Sequence, residues 1–395
     1  MTTMNWIEKE LEFLADASLE RSLRTSSPVS EAPGYTVREE RRLLNLSSND
    51  YLGLSGHPAI IEAMREKLLT EGAGSGASRL VTGNRPSYDR LEEALAYWQN
   101  YEAALVFANG YMANSGVIAA LVGRGDVVFS DQWNHASIVD GIILSRAEHA
   151  RYRHKDMAHL QAFLHKYRDK RRKLIVTDAV FSMDGDQAPL RELVALKREY
   201  GAMLMVDEAH SGGIYGKHGE GLCHELAIQN DVDIHMGTFS KSFGVYGAYI
   251  CGSRTLIRWL VNKARPLIYS TALPPSVVAG VSEALVLVQG EHWRREKLFA
   301  LSMLFRSLLG ASGFTIDEWD SPIMPLIIGD NDMALRFSRA LEDEGIAAAA
   351  IRPPTVPVGT ARIRFSLSAA HTEKELRDAA ARIRNIGLRL GIVQP

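Results

Sequence analysis

The sequence has 395 residues, of which 46% are hydrophobic and 23% are charged, and its formal net charge at pH 7 is −2. These values are typical of a folded globular protein, and the near-neutral charge argues against nucleic acid or an anionic membrane surface as a partner. Two cysteines, Cys223 and Cys251, are too few for a disulfide framework and show no zinc-ligand spacing. We therefore expect a protein of a reducing compartment.

The N-terminal segment predicts an amphipathic helical arm. Ile7, Leu11 and Leu14 recur at helical spacing within residues 3–24, and the following TSSPVSEAPGY breaks the pattern with two prolines and a glycine. This segment lacks the basic flank and apolar core of a secretory signal, and no apolar stretch reaches the roughly 20 uninterrupted residues of a membrane helix. We expect a cytoplasmic protein without a membrane-spanning segment.

Residues 100–252 alternate short apolar runs with helix-like segments. The runs are AALVFANG, DVVFSD, KLIVTDAVFSM, AMLMVDEAH, DIHMGTFS and GAYICG. This alternation predicts an α/β fold with a mostly parallel central sheet and helices on both faces. In such folds, ligands bind at the carboxyl ends of the strands.

The pattern changes towards the C-terminus. A long helical segment covers about 276–310, and FTIDEW, IMPLIIG, IAAAAI and ARIRFSLS then alternate with helical stretches. This predicts a smaller C-terminal α+β domain. We expect an N-terminal helical arm over residues 1–50, a large ligand-binding domain over 51–289 and the α+β domain over 290–395.

Polar side chains cluster where three of the predicted strands end. They are Ser182, Asp184, Asp207, His210, Thr238, Ser240 and Lys241. Because the carboxyl ends of parallel strands share one edge of a sheet, we expect these side chains to converge there. An acid, a histidine, hydroxyls and a lysine suit a ligand with a basic nitrogen, an anionic group and an electrophile that accepts an amine. Pyridoxal phosphate has all three features.

Each polar residue has a role in this interpretation. Lys241 forms a Schiff base with the aldehyde, so its nitrogen is not an unpaired buried ammonium. Asp207 faces the pyridine nitrogen and keeps it protonated, which makes the ring a better electron sink. His210 is expected to reach the phenolic oxygen, and His135 to stack on the ring.

The phosphate group needs a site of its own. Hydroxyls of Thr238 and Ser240 are suited to it, together with backbone N–H groups at NGYMANSG, where Gly110 and Tyr111 open a predicted helix.

Other interpretations of the same residues remain open. Lys241 is also typical of a lysine extending from a strand end, and Asp207 of a helix cap. DEAH at 207–210 matches a helicase motif, but no phosphate loop of the form GxxxxGK[ST] accompanies it. GAGSGASRLVTG departs from a dinucleotide loop at Arg79. A metal site formed by Asp207, His210 and His135 lacks paired spacing, and a non-enzymatic scaffold leaves the cluster unexplained.

Longer motifs resemble a known family. They are NLSSNDYLGLSGHP, GSGASRLVTGN, DQWNHASI, VFSMDGD, MVDEAHSGG, TFSKSFG, IYSTALPP and IRPPTVPVGTARIRFSLSAAHT. In this order they resemble the α-oxoamine synthases, pyridoxal phosphate enzymes of fold type I that join an amino acid to an acyl-CoA with loss of carbon dioxide. The resemblance implies that fold, that cofactor and no metal.

The resemblance also implies residue roles in the cofactor site. Lys241 matches the Schiff-base lysine, His135 the stacking residue and Asp207 the partner of the ring nitrogen. His210 and Ser182 match residues near the phenolic oxygen.

Further matches concern the phosphate and a second subunit. Gly110, Tyr111 and Thr238 match the phosphate site. Family members are homodimers with the site at the interface, where Ser270 and Thr271 match phosphate contacts lent by the partner chain.

Substrate contacts follow from the same motifs. Arg352 matches the residue that binds the amino-acid carboxylate, and Thr355 lies in the same loop. Asn49 in SSNDYLGL is assigned to the substrate site. Arg24 matches a contact to the acyl substrate, although Arg21 is an alternative.

Within the family, SSNDYLGL, GSGASRLVTG and RPPTVPVGTAR most resemble the member that condenses L-alanine with pimeloyl-CoA or its acyl-carrier-protein (ACP) thioester. Members that use glycine, serine or other acyl chains remain alternatives.

Overall fold

The computed structural model describes residues 4–394, and the chain divides into two compact units. The large unit consists of residues 54–182 and 186–295. The small unit consists of the chain up to Gly53, residues 183–185 and the chain from Glu296 onward. Residues predicted to form a separate N-terminal arm and a separate C-terminal domain therefore share one unit.

Helices and strands alternate along most of the described chain. The helices are α1 (Asn5–Asp16), α2 (Pro58–Glu71), α3 (Pro86–Trp98), α4 (Gly110–Leu121), α5 (Ala136–Ser145), α6 (Met157–Lys166), α7 (Leu190–Tyr200), α8 (Leu222–Glu225), α9 (Arg254–Lys263), α10 (Arg265–Ile268), α11 (Pro275–Gly290), α12 (His292–Ala311), α13 (Asn331–Asp343) and α14 (Glu373–Arg389). A π-helical turn covers Arg79–Gly83, and a 3-10 turn covers Gln229–Asp231.

The strands are β1 (Ser27–Pro28), β2 (Tyr35–Arg38), β3 (Arg41–Asn45), β4 (Ala103–Phe107), β5 (Val127–Asp131), β6 (Glu148–Tyr152), β7 (Lys173–Asp178), β8 (Met203–Asp207), β9 (Ile234–Thr238), β10 (Ala248–Gly252), β11 (Ile323–Gly329), β12 (Ile346–Ala347), β13 (Ala349–Ile351) and β14 (Ala361–Ser366).

A seven-stranded sheet forms the centre of the large unit, in the order β4-β10-β9-β8-β7-β5-β6. Six of its strands run in the same direction, and β10 pairs antiparallel with both β4 and β9. The predicted α/β class with a mostly parallel sheet is therefore confirmed. The carboxyl ends of β7, β8 and β9 are neighbours, because Asp178 lies opposite Asp207 and Asp207 opposite Met236.

Helices cover both faces of this sheet, which explains why its strands read as almost continuous apolar runs. On one face, Val176 and Ile250 pack in a buried cluster with Val117 of α4 and Ile138 of α5. On the other, Tyr249 meets Trp98 of α3, with ring centroids 6.3 Å apart.

The small unit contains two smaller sheets. One has the order β1-β2-β3-β12, and the other is an antiparallel sheet in the order β11-β14-β13. Helices α13 and α14 contribute buried side chains such as Phe337 and Ile383. This agrees with the predicted α+β character of the C-terminal residues.

Several elements differ from the predictions. The N-terminal helix ends at Asp16, and strands β1 to β3 follow it within the predicted arm. The predicted segment 276–310 is two helices, because Glu291 leaves the helical conformation. FTIDEW, residues 314–319, does not form the predicted strand, and its Phe314 packs against Phe337.

Strand β6 was not predicted, because it is a polar edge strand with only Ala150 and Tyr152 buried. Among residues 4–394 we find no helix with the length and apolar character that crossing a membrane requires.

Candidate active site

The candidate site lies in the large unit, where the chain leaves β8 and β9. Asp207 is the last residue of β8 and Thr238 the last of β9, and the turn after β9 carries Lys241. Gly110 begins α4, as predicted. The sheet thus brings the predicted acid, hydroxyl and lysine to neighbouring strand ends.

Asp207 is buried, with 3% of its surface exposed. Its Oδ1 accepts a hydrogen bond from the Ala209 N–H at 2.8 Å, and its Oδ2 accepts one from Asn114 Nδ2 at 2.7 Å. A carboxylate has about four lone-pair positions, so this one retains capacity for a further donor such as a protonated ring nitrogen. The donor set fits the role predicted for Asp207.

His135 is held at the start of α5. Its backbone N–H donates to Asp178 Oδ2 at 2.8 Å, and the preceding Asn134 donates to the Val176 carbonyl, also at 2.8 Å. Burial, together with the charge of Asp207, raises the pKa of Asp178 well above its ordinary value. The loop that carries His135 is therefore fixed to strand β7.

Desolvation lowers the pKa of His135, although the residue is exposed, and the charge of Lys241 adds to this effect. The carboxylates Asp207 and Asp140 oppose the shift. A lowered pKa favours the neutral ring at pH 7. A neutral imidazole suits stacking on a cationic ring better than an imidazolium does.

The predicted phosphate residues lie where α4 begins beside the end of β9. A Cβ on Gly110 would come within 4.0 Å of Thr238 Oγ1 and 2.8 Å of Met236 Cε, so glycine keeps this recess open. Thr238 Oγ1 also lies 2.8 Å from Ser240 Oγ. The first turn of a 12-residue helix, with hydroxyls beside it, suits an anionic group.

Tyr111 contributes its backbone to this region, while its side chain is engaged elsewhere. Its hydroxyl donates to Asp140 Oδ2, and this hydrogen bond raises the pKa of Tyr111. The phenol therefore stays protonated.

The turn that carries Lys241 is closed by a hydrogen bond from the Gly244 N–H to the Lys241 carbonyl at 2.9 Å. Gly244 has φ +65°, and a Cβ there would lie 2.3 Å from the Ser55 nitrogen. The turn therefore requires glycine at this position.

His210 is buried and Ser182 is half-buried, two positions in keeping with a ligand contact. Asp184 belongs to the small unit, where it forms an ion pair with Arg362 at 2.5 Å. Strand β7 ends at Asp178, six residues earlier, so Asp184 is not itself at a strand end.

A second polar cluster was not predicted. His154 lies between Asp131 and Asp186, with Nδ1 2.9 Å from Asp131 Oδ1 and Nε2 2.8 Å from Asp186 Oδ2, and it stacks on Trp133. Burial disfavours the charged ring, but these hydrogen bonds outweigh it and raise the pKa of His154 to about 9. The charged His154 ring links Asp131, the last residue of β5, to Asp186, which follows β7.

The predicted substrate residues other than His135 belong to the small unit. Arg21, Arg24 and Arg352 line one cavity of about 1060 Å³. Arg24 donates to both carboxylate oxygens of Glu342, at 2.5 and 2.7 Å. The two predicted acyl-contact candidates and the predicted carboxylate-binding arginine therefore share a cavity.

Arg352 donates to the carbonyls of Ser18 and Glu20. Burial and the nearby Arg21 guanidinium lower its pKa. Thr355 Oγ1 accepts from Arg21 at 3.5 Å.

Asn49 Oδ1 accepts from both terminal nitrogens of Arg364 at 3.2 Å. Neither Asn49 nor Thr355 lines the cavity that Arg21, Arg24 and Arg352 share.

Ser270 and Thr271 follow helix α10 at the surface of the large unit. Ser270 donates to the Pro266 carbonyl, and Thr271 is exposed.

Sequence reasoning missed Asn114 and Ser137, which join Asp207 to His135 through hydrogen bonds. The available signal was a polar residue on the apolar helix NGYMANSG and a serine two residues after His135. Among residues 4–394 no group of three or more His, Cys, Asp or Glu side chains is arranged to hold a metal ion.

Comparison with known proteins gives four consistent matches. A family model described as "Aminotransferase class I and II" matches residues 41–383. A Geobacillus kaustophilus (strain HTA426) protein named "Putative 8-amino-7-oxononanoate synthase" is 53% identical over 366 residues, which cover 92% of this chain and 94% of that protein.

Two solved structures are also similar. A serine palmitoyltransferase variant from S. paucimobilis, with bound PLP and myriocin, has a TM-score of 0.94 and 32% identity, covering 99% of this chain and 98% of that chain. An 8-amino-7-oxononanoate synthase from Francisella tularensis has a TM-score of 0.76 and 29% identity, covering 87% and 97% respectively.

Proposed function

The chain belongs to the class I and II aminotransferase family, and on that premise we propose that it is a pyridoxal phosphate-dependent 8-amino-7-oxononanoate synthase of biotin biosynthesis. It condenses L-alanine with pimeloyl-CoA or a pimeloyl-ACP thioester and releases the thiol and carbon dioxide. The observation that carries the proposal is the meeting of Asp207, Thr238 and Lys241 at neighbouring strand ends.

The residues of the large unit fit this cofactor. The Lys241 amine would hold its aldehyde covalently, and the buried Asp207 carboxylate would pair with its ring nitrogen. Gly110, Tyr111, Thr238 and Ser240 would hold the phosphate. When bound, the cofactor supplies an electron sink that stabilises negative charge at the α-carbon of an amino acid.

The second set of cofactor contacts comes from three further places. His210 and Ser182 would approach the phenolic oxygen, and His135 would stack on the ring. Ser270 and Thr271 of a second copy of the chain would complete the phosphate site.

The protein side chains then handle protons and charge. The Lys241 amine would remove the α-proton of the bound alanine and later return a proton. The Arg352 fork is suited to both oxygens of the alanine carboxylate. His135 would donate to the thioester carbonyl oxygen, and Arg24 would contact the far carboxylate of the pimeloyl chain.

A second candidate is a sister enzyme that uses another amino acid or acyl chain. It is favoured by the higher TM-score of the serine palmitoyltransferase, 0.94 against 0.76 for the 8-amino-7-oxononanoate synthase. The sequence identities, 32% and 29%, do not separate the two candidates.

The test is a substrate panel with the cofactor-loaded protein. L-alanine, glycine and L-serine are each combined with pimeloyl-CoA, palmitoyl-CoA and acetyl-CoA, and thiol release and product mass are recorded. We expect release with alanine and pimeloyl-CoA and the mass of 8-amino-7-oxononanoate, and none with Lys241→Ala. Turnover only with another pair would transfer the protein to the sister class, and turnover by Lys241→Ala would overturn the role of Lys241.

A further inference from the structure

We propose that Asn114 and Ser137 are positioning residues that fix the tautomer of His135, so that Nε2 alone carries the ring proton. Only the catalytic role of this tautomer rests on the proposed function. The tautomer itself is a property of four side chains of the large unit: Asp207, Asn114, Ser137 and His135.

These side chains form a continuous hydrogen-bonded chain. Asn114 Nδ2 lies 2.7 Å from Asp207 Oδ2 and 2.9 Å from Ser137 Oγ, and Ser137 Oγ lies 2.7 Å from His135 Nδ1. Three of these side chains are buried: 3% of the surface of Asp207, 1% of Asn114 and 0% of Ser137 is exposed. Buried groups cannot exchange these partners for water, so the chain holds its members in place.

The donor and acceptor inventory fixes the direction of the two bonds that Asn114 makes. An ionised Asp207 only accepts, and its Oδ1 already accepts from the Ala209 N–H. Asn114 Nδ2 has two hydrogens, one for Asp207 and one for Ser137 Oγ. Ser137 Oγ therefore accepts from Asn114, and its own hydrogen is available to donate to His135 Nδ1.

Reversing the Asn114 amide would place Oδ1 against both the Asp207 carboxylate and Ser137. That orientation sets two acceptors against each other and leaves the buried NH₂ group without these partners. The orientation with Nδ2 between them costs less, because only Asn114 Oδ1 is then buried without a hydrogen bond.

A second contact leads to the same tautomer. The backbone N–H of Ser137, which can only donate, points to His135 Nδ1 at 3.3 Å. Two donors at one ring nitrogen require a lone pair there. The neutral ring consequently carries its proton on Nε2.

The charged groups around the ring are compatible with this state. Asp207 and Asp140 favour a protonated ring, whereas Lys241 and desolvation favour a neutral one. A neutral imidazole with a proton on Nε2 can donate a hydrogen bond to a carbonyl oxygen, but its one lone pair, at Nδ1, is engaged by Ser137 and does not take up a proton. Lys241 is thereby left as the group that moves the α-proton.

The test is a long-range ¹H–¹⁵N correlation spectrum of the loaded enzyme labelled with ¹⁵N-histidine. His135→Gln identifies the His135 signals by their loss. We expect an unprotonated Nδ1 and a protonated Nε2 in the wild type. In Ser137→Ala the population with a proton on Nδ1 should rise about fivefold, as loss of one hydrogen bond implies.

Three further variants complete the design. Asn114→Leu, which removes the donor at similar volume, should shift the same signals, and Ser137→Thr, which keeps the hydroxyl, should restore the wild-type spectrum. Ser302→Ala is the matched control, because Ser302 is equally buried and its hydroxyl bonds only to the Leu298 carbonyl.

A protonated Nδ1 in the wild type would overturn the proposal. It would also fail if Ser137→Ala and Asn114→Leu both gave the spectrum of the Ser302→Ala control. Neither result depends on which amino acid or thioester the enzyme uses, so failure here is distinguishable from failure of the proposed function.

Discussion

At the scale of single residues, charge and hydrogen bonds around His154 make a specific prediction about stability and pH. The folded pKa of about 9 lies above the ordinary value of 6.5. The charged ring therefore stabilises the fold fully below about pH 6.5, and this contribution is lost as the pH rises through 9. Because the side chain is only 12% exposed, the shift corresponds to about 3 kcal/mol.

We expect His154→Gln to lower the free energy of unfolding by about this amount at pH 6 and by much less at pH 10. Urea unfolding across that range measures it. His165→Gln is the control, since His165 is exposed on α6 and should change stability little at any pH. A difference between His154→Gln and wild type that does not shrink at high pH would contradict a charged His154.

At the scale of elements, the fold could be predicted where both faces of a strand are buried. Strands β4, β5 and β7 to β10 read as apolar runs for that reason. Strand β6 lies at the sheet edge with a polar sequence, and β1 to β3 are short and half-exposed, so composition did not mark them. The predicted site residues at β8 and β9 followed from strand ends. Asn114 and Ser137 could not be predicted in this way, because a hydrogen-bonded chain between helices leaves no periodic pattern in the sequence.

The turn after β9 offers a test of an element that positions Lys241. Gly244→Ala would place a Cβ 2.3 Å from the Ser55 nitrogen at φ +65°, so we expect a loss of about 2 kcal/mol or more in stability. Gly290→Ala is the matched control, because no atom lies within 4 Å of its Cβ position at the end of α11. It should be neutral or stabilising by up to about 1 kcal/mol.

Chemical unfolding midpoints of the two variants measure the difference. A Gly244→Ala protein as stable as Gly290→Ala would contradict the close approach of the turn to Ser55. Cofactor absorbance in the same samples reports whether the Lys241 turn has moved.

At the scale of the whole molecule, large apolar side chains are exposed near Ser270 and Thr271. Val81 is 74% exposed and Tyr269 72% exposed. The Ala272 N–H donates to the Ala77 carbonyl, so the two chain segments that carry these side chains are held together. Large exposed apolar side chains beside polar groups favour a protein interface. We therefore retain the prediction of a homodimer in which each chain lends Ser270 and Thr271 to the other.

Subunit complementation tests this arrangement directly. Lys241→Ala and the double variant Ser270→Ala, Thr271→Ala are each expected to have little activity. After the two are unfolded and refolded together, a mixed dimer has one site with an intact Lys241 from one chain and intact Ser270 and Thr271 from the other. We expect about one quarter of the wild-type rate per subunit, because about half of the dimers are mixed and each has one complete site.

If both sets of residues acted within a single chain, no complete site would form and the mixture would stay as inactive as its components. Sedimentation equilibrium at twice the 43.7 kDa chain mass establishes that the mixture is dimeric. Val81→Glu should shift that equilibrium toward the monomer, whereas Met303→Glu, at a similarly exposed position on α12, should not.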